Sequence, residues 1–135
     1  MRIQIKRVYE APEPADGLRI LVDRLWPRGL AKKDAALDVW AKELAPSDAL
    51  RRWFGHDAAK FDEFRRRYLI ELGESAEHTE RLLNHARGRT ITLLYAAQDT
   101  QHNNAVVCRS WLQCFLNNTE TRTGNRDTSQ CCKGE

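Results

Sequence analysis

The fold is decided by the stretch Arg19-Ile20-Leu21-Val22-Asp23-Arg24-Leu25-Trp26-Pro27-Arg28-Gly29, where a short apolar run passes into a turn of charged and aromatic residues. The run at residues 20–22 is typical of a buried strand. Proline disfavours helical geometry in the residue before it, so no helix continues through Trp26 and Pro27. Gly29 allows the chain to turn with a positive φ. The stretch therefore predicts a buried strand that ends at one wall of an anion-binding site.

Further strands and helices are predicted on both sides of this stretch. Alternation of polar and apolar residues at 2–9 predicts a first strand, and the near-continuous apolar run at 90–96 predicts a central strand of a parallel sheet. Residues 37–40 are expected to form a short extended piece. Helical spacing and capping residues predict helices at residues 47–55, 57–72, 75–87 and 100–116.

Strands separated by helical segments imply a small, mainly parallel sheet covered by helices, an α/β fold of the three-layer, Rossmann-like kind. The chain of 135 residues has the length of a single domain, which we assign to residues 1–116. Residues 117–135 are polar and lack apolar periodicity. We therefore expect a flexible C-terminal tail there.

The charge balance and the hydropathy bear on the class of partner. The chain has 22 lysines and arginines against 19 acidic residues, a net charge of +3, whereas a nucleic-acid-binding domain is usually strongly basic. No apolar run approaches the ~20 residues that span a bilayer, and the N-terminus lacks the apolar segment of a signal peptide. We expect a cytoplasmic protein without a membrane partner, as a monomer or a homodimer.

The four cysteines indicate neither a zinc site nor a disulfide framework. Cys108 and Cys114 are expected in a helix as small apolar residues, and the adjacent Cys131 and Cys132 are expected as free thiols in the polar tail. No cysteine or histidine cluster has the spacing of metal ligands. The glycine-rich and serine motifs of nucleotide-binding and hydrolase folds are missing as well. The sequence predicts no metal and no cofactor.

Polar residues follow each predicted strand, and parallel α/β sheets bind ligands beyond the carboxyl ends of their strands. Arginine holds anions through paired hydrogen bonds, and the start of the last helix offers free N–H groups. The candidate ligand-binding residues are Arg7, Arg24, Trp26, Arg28, Tyr95 and Asn104. The candidates for proton transfer are Asp23, His56 and Asp99.

Several of these residues also have a purely structural interpretation. Asp23 can support an arginine rather than act as a base, and Arg24 can pair with a nearby acid to hold the loop. Trp26 can belong to the core, and His56 can be an ordinary loop histidine. Asn104 can simply cap the last helix.

Several segments of the chain together resemble one bacterial family. They are Lys6-Arg7-Val8-Tyr9, Asp16-Gly17-x-Arg19, Leu21 to Gly29, Trp40-x-Lys42, Ala45-Pro46-Ser47, Leu50-Arg51-x-Trp53-Phe54-x-His56, and Leu93-Leu94-Tyr95-x-Ala97-x-Asp99 with Asn104-Ala105-Val106-Val107. Over residues 1–116 the chain resembles the YeaO-like family, number 488 of the domains of unknown function. The resemblance implies a small cytosolic α/β domain without an established activity. Related branches carry a cysteine-histidine-arginine type of motif near residues 102–104, where this chain has His-Asn-Asn.

The residues favour a protein that binds, and if catalytic also processes, a small anionic molecule such as a nucleotide, nucleoside or sugar phosphate. One alternative is a nucleic-acid-binding transcriptional regulator. The arginines at 65–67 argue against it, since acids at i,i+4 spacing predict a paired, solvated face. The other alternative is a non-catalytic interaction domain in which Trp40 or Trp53 anchors a partner.

Overall fold

A computed structural model describes residues 2–120 as an α/β domain. The strands are β1 (Ile3–Arg7), β2 (Leu18–Leu21), β3 (Val39–Trp40) and β4 (Ile91–Tyr95). The α-helices are α1 (Lys32–Ala35), α2 (Asp48–Phe54), α3 (Phe61–Glu74), α4 (Ala76–His85) and α5 (Asn104–Glu120). The strands form one all-parallel sheet in the order β1-β4-β2-β3. The predicted single-domain α/β fold is confirmed, with β4 in the interior of the sheet.

The two faces of the sheet carry different cores. In β4, Ile91, Leu93 and Tyr95 contribute to the main core, whereas Leu94 belongs to a smaller second cluster. Helices α3 and α5 pack on each other, and α5 lies against β1 and β4. Their buried side chains, including Phe64, fill the main core. Because successive side chains of a strand point to opposite faces of the sheet, the two clusters lie on opposite faces. The larger apolar cluster lies on the face covered by α3 and α5.

The other face is covered by the one-turn helix α1 and by loops, and it holds a buried ionic cluster. Asp16 Oδ2 lies 2.5 Å from Arg19 Nη1 and 3.1 Å from Lys6 Nζ. Arg19 also donates hydrogen bonds to the carbonyl oxygens of Ala35 and Ala36. A buried charge is tolerated when its partners are also hydrogen-bonded. The cluster therefore joins the loop before β2 and the end of α1 to the sheet.

The capping residues around α2 are confirmed, with one shift of position. Ser47 Oγ accepts a hydrogen bond from Leu50 N at 3.2 Å, and Gly55 ends the helix with φ of 55°. Asp57 caps a short 3-10 turn at Ala58–Lys60, and α3 begins directly after that turn. The predicted long helix is therefore an irregular first turn followed by a regular helix.

The last helix begins and ends about four residues later than the sequence predicts. Helix α5 ends at Glu120 rather than near residue 116, so residues 117–120 of the expected tail are helical. The remaining expected tail, residues 121–135 with Cys131 and Cys132, lies outside the described residues.

The described cysteines behave as apolar residues. Cys108 and Cys114 are buried and free of disulfide bonds, and burial raises the pKa of the Cys108 thiol to about 12. Between residues 2 and 120, no group of three histidine, cysteine or acidic side chains is arranged to hold a metal ion. Within the same residues, every helix is too short or too polar to cross a bilayer.

Candidate functional site

A cavity of about 300 Å³ lies at the carboxyl edge of the sheet. It is bordered by the turn after β2, the residues after β4, helix α2 and the start of α5. Its charged and polar lining residues are Tyr9, Asp23, Arg24, Arg28, Arg51, His56, Asn103 and Asn104. The volume is at the lower end of the range for small-molecule sites, about 300–1,000 Å³.

Asp23 joins three elements of the fold at this cavity. Its Oδ2 accepts a hydrogen bond from Ala96 N at 3.0 Å, and its Oδ1 accepts one from Asn104 Nδ2 at 2.9 Å. The Asn104 amide also donates to Val22 O at 2.8 Å. Burial raises the pKa of Asp23, while these hydrogen bonds and the charge of His56 oppose the rise.

Asp23 does not pair with an arginine, which was the structural alternative to a role in proton transfer. Within residues 2–120 its carboxylate has no lysine or arginine nitrogen at ion-pair distance, and its partners are an amide side chain and a backbone N–H. Asn104 does not cap α5, since Asn103 Oδ1 accepts the capping bond from Val106 N at 3.0 Å. The Asn104 side chain instead joins the first residue of α5 to Val22 and Asp23 after β2.

The turn after β2 is held by two indoles, that of Trp26 within the turn and that of Trp40 on β3. Trp26 Nε1 donates to Leu30 O at 2.7 Å, and Trp40 Nε1 donates to Asp23 O at 2.8 Å. The two rings meet edge to face with their centroids 5.3 Å apart, a favourable aromatic geometry. Gly29 has φ of 73°, as its place in the turn predicts. Trp26 thus packs in the second cluster and also lines the cavity.

Two cavity arginines are held in place by single hydrogen bonds. Arg24 Nε donates to Pro46 O at 2.9 Å, so a carbonyl holds this side chain and not an acid, the structural alternative given above. Arg51 Nη2 donates to Asp48 Oδ1 at 2.6 Å. Since a guanidinium has five N–H donors, both side chains keep donors available for a ligand.

Arg28 differs from the other two arginines because only its backbone is held. The Tyr9 hydroxyl donates to Arg28 O at 2.8 Å. The Arg28 side chain is exposed, and its guanidinium has no hydrogen bond or ion pair to any residue between 2 and 120. It is therefore a cavity cation whose charge is not already neutralised by a neighbour.

His56 borders the cavity in an unusual backbone conformation. It has φ of 59° and follows Gly55, which has φ of 55°. This left-handed region costs a residue with a side chain about 1–2 kcal/mol. The two left-handed residues turn the chain after α2, and the exposed His56 lines the cavity, with its ring centroid 6.3 Å from that of Phe54.

Arg7 lies beside the cavity and not among its lining residues. Its Nε donates to Ala97 O at 2.9 Å and its Nη2 donates to Ala96 O at 3.0 Å. The guanidinium also lies over the Tyr9 ring, 5.0 Å from the centroid. Arg7 thus fixes the carbonyls that follow β4.

Tyr95 and Asp99 are also outside the cavity lining. Tyr95 is buried in the main core, and burial raises the pKa of its hydroxyl. Asp99 Oδ1 accepts hydrogen bonds from the backbone N–H groups of Gln101 and His102, and its Oδ2 lies 3.0 Å from His102 Nδ1. These bonds lower the pKa of Asp99. The Asp99 carboxylate therefore stabilises the loop before α5 through hydrogen bonds to its backbone.

Part of the cavity lining was not among the candidates. The lining residues outside the candidate list include Tyr9, Pro46, Arg51, Phe54, Phe64 and Asn103. A signal for two of them was present, since Arg51 and Phe54 are three apart on a predicted helix and therefore share a face. His56 follows that helix directly, so the pattern Arg51-x-x-Phe54-x-His56 points to one side of α2.

The lining favours binding of an anion. Three guanidinium groups and one imidazole share the lining with a single carboxylate and with aromatic rings. Of the three arginines only Arg51 has an ion pair within the described residues, to Asp48 outside the lining. Arginine makes bidentate, charge-assisted hydrogen bonds to phosphate and carboxylate. Among the described lining residues, no serine, threonine or cysteine supplies a nucleophile.

Comparison with known proteins identifies the family. The family model described as the inactive DUF488-N3 subclade matches residues 2–133. The chain is 48% identical to the uncharacterized protein YeaO of Escherichia coli (strain K12) over 113 residues, which cover 84% of this chain and 98% of that protein. The resemblance to the YeaO-like family is confirmed.

Two mycobacterial proteins are also similar. They are the uncharacterized proteins Mb3100c of Mycobacterium bovis and Rv3073c of Mycobacterium tuberculosis, each 42% identical over 107 residues, or 78% of this chain and 89% of theirs. No solved structure matches the chain.

Proposed function

We propose that this chain, which belongs to the YeaO-like DUF488 family and within it to the inactive DUF488-N3 subclade, binds a small anionic molecule at the carboxyl edge of its sheet. One observation carries the proposal: Arg24, Arg28 and Arg51 line the same cavity. A nucleotide or a sugar phosphate has the anionic group that such a set of arginines binds. The proposal keeps the cytoplasmic location and the monomeric or homodimeric state expected from the sequence.

The three arginines have different roles in this proposal. Arg28 makes the main charge contact, because its guanidinium is unpaired within residues 2–120 and loses no ion pair on binding. Arg24 and Arg51 are held by Pro46 O and Asp48 before the ligand arrives. Side chains ordered in advance lose less conformational entropy on binding, which favours affinity.

The contacts of the neighbouring residues support a binding role more directly than a catalytic one. Trp26 supplies an aromatic wall, and Asn104 holds Asp23 at the cavity. Should the protein process its ligand, Asp23 and His56 are the titratable groups that line the cavity. Asp99 is engaged by the loop before α5.

The contacts of α3 and of the indoles bear on the two alternative functions. Arg66 and Arg67 both bond to Glu63, at 2.7 Å in each case, so this basic surface is already partly neutralised. Trp40 is half-buried against Trp26. Neither contact favours a nucleic-acid patch on α3 or Trp40 as a protruding anchor.

The ring of Trp53 is covered by two cationic side chains of the same chain. The Lys60 ammonium lies 5.1 Å from the Trp53 ring centroid, and the Arg67 guanidinium lies 4.3 Å from it. A cation over an aromatic ring is a favourable contact. Trp53 is therefore already engaged by its own chain and is a poor anchor for a partner.

Thermal unfolding with a panel of nucleotides, nucleosides, sugar phosphates and simple anions tests the proposal. A ligand at 100 times its Kd adds about 2.7 kcal/mol to the native state, which corresponds to roughly 10 °C in Tm for a domain of this size. We expect this shift to be lost in Arg28→Ala. It should persist in Arg87→Ala, an exposed arginine outside the cavity.

The same series separates the alternatives. A shift that survives Arg28→Ala would contradict the proposed site. If no small anion shifts Tm and the protein instead binds nucleic acid with a steep dependence on salt, the regulator hypothesis would replace ours.

A further inference from the structure

The cavity contains a carboxylate that the arginines around it do not neutralise. Asp23 shares the cavity with Arg24, Arg28 and Arg51, yet no ion pair joins it to any of them within the described residues. Its bonds go to Ala96 N and to the Asn104 amide. Both of these partners are neutral donors.

The carboxylate also has unused hydrogen-bonding capacity. An ionised carboxylate offers about four lone-pair sites, and the bonds to Ala96 N and Asn104 Nδ2 occupy one on each oxygen. Asp23 is half-buried. A half-buried charge with free acceptor sites is stabilised by further donors. A ligand that fills the cavity must therefore present donors of its own to this carboxylate.

Resting on the proposed function, we infer that the ligand carries a hydrogen-bond donor for Asp23 in addition to the anionic group for the arginines. An anion without a donor gains the attraction of Arg28 but meets the repulsion of the Asp23 carboxylate. A ligand with both groups is attracted by Arg28 through its anionic group and donates a hydrogen bond to Asp23 through the other. The site thus selects for an anionic group joined to a donor-bearing group.

Two ligand classes share this chemistry. In a sugar phosphate the donors are hydroxyl groups, and in a nucleoside monophosphate they are hydroxyl groups together with ring or exocyclic N–H groups. The aromatic rings of Trp26 and Phe54 in the lining can pack against either kind of ring. In both classes the ligand's donor would bind to the Asp23 carboxylate.

Titration calorimetry with three phosphates tests this inference on the unmodified protein. Methyl phosphate has the anion and no donor on its methyl group, whereas ribose 5-phosphate and adenosine 5′-monophosphate have both. A hydrogen bond to a charged acceptor strengthens binding by about tenfold or more. We expect at least one of the two larger ligands to bind about tenfold more tightly than methyl phosphate, and the preferred one names the source of the donor.

The Asp23→Asn variant then separates donor recognition from loss of structure. Its carbonyl can still accept from Ala96 N, and its folding is checked by circular dichroism. Removing the negative charge should strengthen methyl phosphate binding by roughly fivefold, because the repulsion is gone. A donor-bearing ligand shares this gain through its phosphate but loses a hydrogen bond to a charged acceptor, worth about tenfold, so its binding should weaken by about twofold. A distorted cavity would weaken both ligands, so changes of opposite sign are diagnostic.

Other results would overturn the inference. If all three phosphates bind equally and depend on Arg28, the inference fails while the anion site remains. The inference fails in the same way if Asp23→Asn weakens methyl phosphate as much as ribose 5-phosphate. If none of the phosphates binds, or if binding is indifferent to Arg28→Ala, the proposed function itself fails.

Discussion

Replacing Asp23 with alanine tests the network that holds the candidate site together. The substitution removes the acceptors of two hydrogen bonds, those from Ala96 N at 3.0 Å and from Asn104 Nδ2 at 2.9 Å. Both donors lie in half-buried residues, and a hydrogen bond to a charged acceptor contributes about 1.5–3 kcal/mol. Relief of the desolvation that raises the pKa of Asp23 offsets part of this loss. We expect Asp23→Ala to lower the free energy of unfolding by about 2–4 kcal/mol.

Urea unfolding followed by tryptophan fluorescence measures this change directly, because Trp26 and Trp40 adjoin Asp23. The midpoint should fall with little change in the slope, as expected when stability changes and the folded state does not. Glu80→Ala is the matched control, since Glu80 is an exposed acid on α4. Its effect should stay within about 0.5 kcal/mol.

A double-mutant cycle with Asn104→Ala assigns the loss to the contact itself. The two side chains are in contact, and such pairs show coupling energies of about 0.5–3 kcal/mol. A coupling near zero, or a loss below about 0.5 kcal/mol for Asp23→Ala, would refute the claim that Asp23 joins β2, β4 and α5.

Three further changes have definite expected outcomes. In Gly17→Ala the new Cβ would lie 2.2 Å from Thr90 O at a φ of 64°, so thermal unfolding should show a loss of about 3 kcal/mol or more. His56→Gly removes the backbone strain at a φ of 59°, so it should raise the free energy of unfolding by about 0.5–1 kcal/mol and weaken anion binding. Ala36→Gly is the control: at a φ of 48° it should also raise the free energy of unfolding, but it should leave anion binding unchanged. For Glu63, hydrogen bonds from two arginines lower the pKa from 4.5 to about 2, so its stabilising effect is complete above pH 4.5 and is lost as pH falls towards 2. The difference in Tm between the parent and Glu63→Gln should therefore shrink over that range.

Much of the fold follows from local patterns in the sequence. The apolar run at 90–96 predicts an interior parallel strand because both faces of such a strand are buried, and β4 is that strand. Ser47 and Gly55 mark the ends of α2 because their capping roles depend on local backbone geometry. Positions near a chain turn or a cap are therefore the best predicted.

Partners distant in sequence are harder to predict. The buried pair Asp16 and Arg19 is close along the chain, yet its burial depends on Lys6 and on α1 folding over the same face. The location of Arg7 also depends on distant carbonyls after β4, which bind its guanidinium. Residue type and strand order do not determine which of these groups a side chain reaches.

The candidate site shows the same division. Six of the candidates line the cavity because they follow parallel strands or begin or follow helices at one edge. The six are Asp23, Arg24, Trp26, Arg28, His56 and Asn104. The contribution of α2 through Arg51 was missed because it requires the packing angle of that helix against the sheet. The sequence predicts which residues share one face of a helix, but it does not predict which element that face packs against.

The central claim is that the cavity at the carboxyl edge of the sheet binds a small anion. Its most direct test is an NMR titration of the isotope-labelled full chain with ribose 5-phosphate, following each backbone amide. We predict saturable shifts concentrated at residues 22–29, 51–56 and 96–104, the segments that border the cavity. Shifts confined to the arginine-rich surface of α3 at residues 63–67, or no saturable shifts at all, would contradict it.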